Sequence, residues 1–156
     1  MSAPPSLGQA APSFTLPRDG GSEVSLSDYA DRIVVLYFYP KDDTPGCTTE
    51  AIDFSADIDA FAKAGAVVLG VSRDTVKKHE IFRDKHGLKV ALLADEDGAV
   101  CEAYGVWGEK SMYGRTYLGI DRTTFLVGRD GKIARVWEKV KVKGHVAEVL
   151  AAVMAL

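Results

Sequence analysis

The residue best placed to do chemistry is Cys47, which follows Pro40-Lys41-Asp42-Asp43-Thr44-Pro45-Gly46 and opens a helical pattern. An apolar run, Ile33 to Tyr39, feeds this turn, so the expected unit is strand, loop and helix N-terminus with one thiol on the first turn. Thr44 or Asp43 is positioned to cap the helix, and Pro45 suits its first position. The first backbone N–H groups of a helix lack intrahelical partners and the dipole is positive there, which favours an anionic cysteine. A thiolate is a nucleophile that attacks oxidants, so the stretch predicts a thiol-based redox enzyme. Asp42 and Asp43 are expected to point outward in a solvated turn, because inward negative charge would oppose the thiolate.

The other candidates are weaker. Cys101, between Val100 and Tyr104, is either a second redox thiol or a small buried hydrophobe, the commoner state of a free cysteine. A dithiol site needs C-x-x-C, and Cys47-Thr48-Thr49-Glu50 lacks the second thiol. His79, His86 and His145 share no metal-ligand spacing with either cysteine, so no metal is expected. Gly105 to Ser111 has the wrong spacing for a phosphate loop. Trp107, Tyr113 and Tyr117 either rim a docking site or cover the core. Lys139, Lys141 and Lys143 alternate with valine as on a solvated edge strand.

The elements that must position Cys47 follow from periodicity. Short strands are expected at 13–16 and 24–26, separated by the Arg18-Asp19-Gly20-Gly21 turn, with a helical turn at 27–29. The run 33–39 is a central strand buried on both faces. Residues 47–64 read as one helix with Ala51, Phe54, Ile58, Phe61 and Ala62 inward, stopped by Gly65. A strand at 66–71, a helix at 75–86 with Val76, Phe82 and His79 inward, a strand at 90–93 and a helix to about residue 104 follow. Residues 105–119 read as a loop. Strands at 123–127 and 133–138, joined by Arg129-Asp130-Gly131, precede a C-terminal helix from Gly144-His145 to about residue 152. The order is α/β: a parallel unit, an antiparallel hairpin and a helix, as in a thioredoxin-like fold with an N-terminal extension and inserted elements. A mixed central sheet flanked by helices is expected, in one domain spanning residues 1–156.

With 156 residues, 47% hydrophobic and 26% charged, the chain can bury one ordinary core. The formal net charge of −3 gives no case for nucleic acid or an anionic membrane. No apolar run is long enough to span a bilayer. Met1-Ser2-Ala3-Pro4-Pro5 has neither a basic nor an apolar signal region, and two cysteines are too few for a disulfide scaffold. A cytoplasmic protein is the default expectation.

Pro40-x-x-x-Thr44-x-x-Cys47 resembles the active-site motif of the peroxiredoxin family, and Thr44 to Glu50 resembles its peroxiredoxin Q (bacterioferritin comigratory protein) branch. Glu102 to Trp107, Ile120 to Leu126 and Lys141 to Val146 are similar to that branch too. The resemblance implies a thiol peroxidase for hydrogen peroxide and organic hydroperoxides, without a cofactor, acting through a sulfenic acid on Cys47. It implies Pro40, Thr44, Cys47 and Arg122 as the catalytic set, with Glu50 holding Arg122. The branch's resolving-cysteine positions are here Ile52 and, by alignment, Arg83. An external thiol is therefore expected to resolve Cys47, whether thioredoxin, glutaredoxin or a small thiol. The alternatives are Cys101 as an intramolecular resolver and a non-enzymatic redox relay or sensor. The resemblance further implies a monomer or weak homodimer.

Overall fold

A computed structural model of the chain describes residues 4–156; the N-terminal reading of Met1 to Ala3 lies outside the described residues. Five strands form the main sheet: β3 (Ile33–Phe38), β4 (Ala66–Ser72), β5 (Ala91–Ala94), β8 (Thr123–Val127) and β9 (Ile133–Trp137). Their order is β5-β4-β3-β8-β9, with β3, β4 and β5 parallel and β8 antiparallel to both β3 and β9. Ahead of them, β1 (Thr15–Pro17) and β2 (Glu23–Ser25) pair as a small hairpin, followed by a 3-10 turn at Leu26–Tyr29.

All six residues of β3 are buried, as expected of a strand covered on both faces. Alternation then sorts the core. Val35, Tyr37 and Tyr39 face one layer, with residues of α1 (Pro45–Ala56), α2 (Ile58–Lys63), α3 (Val76–His86) and α5 (His145–Met154). Val34, Leu36 and Phe38 face the other, with α4 (Ala99–Ala103) and the β1–β2 hairpin. Cys47 belongs to the first layer and Cys101 to the second.

Four expectations are corrected. Residues 47–64 are not one helix: Asp57 ends α1 and begins α2. Aspartate favours helix ends because its side chain competes with the backbone ladder. Ala51, Phe54 and Phe61 are buried and Ile58 half-buried, but Ala62 is exposed. Residues 105–119 are not a loop but chiefly the hairpin β6 (Trp107–Met112) and β7 (Arg115–Ile120). Tyr113 and Gly114, at φ 52° and 75°, make its two-residue connection with both central residues left-handed. Residues 139–143 form no strand; Lys139 takes φ 49°, and the Val140 N–H donates to the Arg122 carbonyl at 2.9 Å. The fourth concerns Asp42 and belongs to the site.

Candidate active site

The C-terminal end of β3 delivers the chain into the turn that carries Pro40 and Thr44. The Tyr39 N–H donates to the Val71 carbonyl at 3.1 Å, so sheet pairing holds the chain up to the turn. Asp43, at φ 61°, makes the left-handed step that swings the chain toward α1. Outside the fold, Asp43 accepts from Lys85 Nζ at 2.7 Å and pairs with His86 Nε2 at 2.8 Å, which clips the turn to the end of α3. These hydrogen bonds, Lys85 first, hold the Asp43 carboxyl below its ordinary range.

Thr44 occupies the N-cap position and Pro45 the first helical one, as expected. The capping bond is absent. The Thr44 hydroxyl donates instead to the Lys41 carbonyl at 2.9 Å, leaving its lone pairs free to accept. The first i→i−4 bond runs from the Thr48 N–H to the Thr44 carbonyl at 2.8 Å. The Gly46 and Cys47 N–H groups precede it and have no intrahelical partner.

Cys47 is 1% exposed, and its Sγ receives Arg122 Nη2 at 3.4 Å. Arg122 lies just before β8, which pairs antiparallel with β3, and so comes from the far end of the sequence to the mouth of the same strand. Its other nitrogen, Nη1, donates to Glu50 Oε1 at 2.7 Å, one helical turn beyond Cys47. A Cβ at Gly46 would lie 3.1 Å from Nη2, so the glycine leaves room for the guanidinium. Burial alone would lower the Arg122 pKa; Glu50 and Cys47 outweigh it and hold the group above its ordinary value. Burial pushes the Glu50 carboxyl up to about 7 against the pull of Arg122, and its Oε2 is buried without a hydrogen-bond partner. His145, bonded to the Thr124 hydroxyl at 2.8 Å, is pushed down to about 4 by burial and then by Arg122, and adds no charge at neutral pH.

Asp42 turns inward, contrary to expectation. The Tyr39 hydroxyl donates to its Oδ1 at 2.6 Å, and His79 Nδ1 lies 2.6 Å from its Oδ2. His79 is fully buried, and its Nε2 faces the Leu93 carbonyl at 2.9 Å, which can only accept, so that nitrogen carries a proton. Burial alone would lower the His79 pKa; the Asp42 hydrogen bond and charge override it and raise the group above its ordinary value. The ion pair offsets the charge that would otherwise oppose an anion at Cys47. Asp74 completes the network, accepting from the Asp42 N–H at 2.9 Å and the Ser72 hydroxyl at 2.6 Å. Asp42, Asp74 and His79 are close enough to share an ion, but these oxygens and nitrogens are already bonded to one another or to their neighbours. This network was missed because its partners lie 32 and 37 residues apart and only His79's inward position was visible in the helix pattern.

Cys101 sits across the sheet. It is fully buried, its N–H donates to Asp95 Oδ2 at 2.8 Å, and burial and then Asp95 push its thiol well above the ordinary range. Ile52 is exposed on the outer side of α1, and Arg83 is bound to Asp19 and Asp84 at 3.0 and 2.9 Å.

Comparison with known proteins decides the family. The AhpC/TSA family profile matches residues 7–136. Peroxiredoxin Bcp of Bacillus subtilis is 50% identical over 144 residues, 92% of each chain. The chain belongs to the peroxiredoxin family, in its Bcp/peroxiredoxin Q branch. A structure of Xanthomonas campestris bacterioferritin comigratory protein, concerned with the alkyl peroxide reduction activity of that protein, superposes with a TM-score of 0.86 at 49% identity, covering 91% of this chain and 90% of its own. Xylella fastidiosa PrxQ superposes with a TM-score of 0.92 at 41% identity, covering 97% and 96%. This peroxiredoxin therefore has the thioredoxin-like fold and is a peroxidase, an oxidoreductase. Among the described residues no helix is long and apolar enough to cross a membrane.

Proposed function

We propose that this peroxiredoxin reduces hydrogen peroxide and organic hydroperoxides through a sulfenic acid on Cys47, which an external thiol then reduces. The 3.4 Å approach of Arg122 Nη2 to Cys47 Sγ at a helix N-terminus carries the reading. The Cys47 thiolate attacks one peroxide oxygen; the S–O bond forms as the O–O bond breaks. Sulfur is oxidised by two electrons, and the leaving hydroxide or alkoxide takes a proton to become water or alcohol. Negative charge moves from sulfur onto the leaving oxygen. Arg122 and the free Gly46 and Cys47 N–H groups stabilise that charge where it develops. The Thr44 hydroxyl, its proton committed to Lys41, accepts the hydrogen of the incoming peroxide. Pro40, which has no N–H, shields the thiolate from water.

The second half-reaction needs a thiol from outside. Cys101 lies in the opposite core layer with its proton held tightly, and neither Ile52 nor Arg83 supplies sulfur. Reaction of the reduced protein with an equimolar dose of hydrogen peroxide, a sulfenate trap present, tests both halves by peptide mass. A trapped sulfenate on Cys47 with Cys101 free is expected, as is loss of thiol-supported turnover in Cys47→Ser. Oxidation of Cys101 alone, or turnover retained by Cys47→Ser, would overturn the site. A Cys47–Cys101 disulfide within one chain would overturn the external step.

A further inference from the structure

A groove of about 480 Å³ opens beside Pro40 and Lys41. Its walls are the start of the β4–α3 connection, Glu96 and the β6–β7 arm. That volume lies within the range of small-molecule sites, roughly 300–1,000 Å³. The Arg73 guanidinium lies 4.5 Å from the centre of the Trp107 ring, and its Nε and Nη2 donate to the Glu96 carbonyl at 3.3 and 3.0 Å. These contacts fix its plane at the groove wall. Lys110 Nζ donates to the Ile120 carbonyl at 2.8 Å, and an ammonium has further donors to offer. Lys41 stands exposed at the rim.

Among the described residues, Lys41, Arg73 and Lys110 pair with no carboxylate; what sets them apart is that all three line one groove. Asp74, which also lines the groove, is committed to Ser72 and the Asp42 N–H. Three cations without a carboxylate partner, against the two carboxylates of Asp74 and Glu96, leave the groove net positive in a chain of net charge −3 and match an anionic ligand. Trp107 and Tyr117 offer flat apolar surface to the body of that ligand.

We propose that this groove binds the reductant of the reaction above, and that the reductant is a low-molecular-weight thiol bearing carboxylates. The inference rests on the sulfenic acid reading of Cys47. The carboxylates engage Arg73, Lys110 and Lys41, and the thiol reaches past Pro40 to the sulfenic acid. Its sulfur attacks the Cys47 sulfur; the S–S bond forms, the S–O bond breaks, and the hydroxyl leaves as water with the thiol proton. A second molecule of the thiol attacks the mixed disulfide, releasing the thiol's own disulfide and the Cys47 thiol. Because Cys47 is 1% exposed, a slim molecule reaches its sulfur with less displacement of the surrounding chain than the face of a folded partner would need.

The test is steady-state reduction of hydrogen peroxide supported either by glutathione, which carries carboxylates, or by uncharged dithiothreitol. The paired substitution Arg73→Gln with Lys110→Gln lowers the glutathione-to-dithiothreitol ratio of rate constants by roughly tenfold, the loss expected for a charge-assisted hydrogen bond. Lys41→Gln, at an exposed position that does not bear on folding, lowers the same ratio by a smaller factor. Added salt slows the glutathione reaction selectively. A ratio unchanged in both variants overturns the proposal. So does a protein that turns over with a thioredoxin-type partner and with dithiothreitol but not with glutathione, since a protein reductant is then the occupant. A protein that turns over with no thiol at all overturns the sulfenic acid reading itself.

Discussion

Glu50→Gln isolates the titration of a buried carboxylate that shares Arg122 with the Cys47 thiol. Burial raises the Glu50 carboxyl from 4.5 to about 7 in spite of Arg122. The folded protein therefore holds a proton on Glu50 between these values where the unfolded chain has lost it. Stability contributed by this group is complete below pH 4.5 and is lost as pH rises through about 7. At about 1.4 kcal/mol per pH unit, the loss amounts to about 3 kcal/mol. Glutamine has the same shape, can still accept the Arg122 bond and does not titrate, so the difference between wild type and variant isolates Glu50. Urea unfolding of both proteins between pH 4.5 and 8 should show the wild type losing about 3 kcal/mol relative to Glu50→Gln. Parallel curves would refute the reasoning. A wild type that instead gained on the variant as pH rose would show that the Arg122 ion pair outweighs burial.

Two further predictions probe the partners of the site. Arg122→Lys should lower kcat/KM for hydrogen peroxide on the order of a hundredfold, because one ammonium cannot reach both Glu50 and Cys47 as the guanidinium fork does; activity near wild type would remove Arg122 from the charge-stabilising role. His79→Gln should destabilise the protein by roughly 3 kcal/mol near pH 6, the low end for leaving a buried charge unpaired. Its pH–rate profile should move to higher pH as the Asp42 charge loses its counterion. Since the His79 pKa is raised, that stability difference is fully present below its ordinary value of 6.5 and fades as pH rises through its folded value. A difference that grows with pH, or an unmoved profile, would refute the pairing.

The parts of this molecule that were legible in its sequence are the local ones. The step from β3 through Pro40, Thr44 and Pro45 to Cys47 is carried by contiguous residues whose preferences all agree, and the expected strand, turn and helix start are there. The β6–β7 hairpin is equally contiguous yet unreadable. Its second strand is exposed over its first four residues, so it lacks a buried face to impose alternation, and its turn is Tyr-Gly rather than Asn-Gly or Asp-Gly. Arg122 carried no local signal beyond a charge at a strand edge, and its place in the site came from resemblance to the family. The inward turn of Asp42 could not be read at all, because the reason for it, His79, sits on a helix placed by the packing of α3 against β5.

The place of Cys101 shows how a single strand sorts the core. Successive residues of β3 point to opposite sides, and each side gathers its own helices and its own cysteine. Tyr37 and Tyr39 share a layer with Cys47; Leu36 and Phe38 share one with Cys101. An intramolecular disulfide would have to carry one sulfur around or through a sheet whose central strand is buried along its whole length. Disulfide geometry requires the two Cα atoms within about 7 Å, and the placement of the two cysteines in opposite core layers works against that pairing. The layering thus favours the proposed external reductant, and on that proposal the features that admit it to Cys47 matter to turnover as much as the Arg122 guanidinium 3.4 Å from the sulfur.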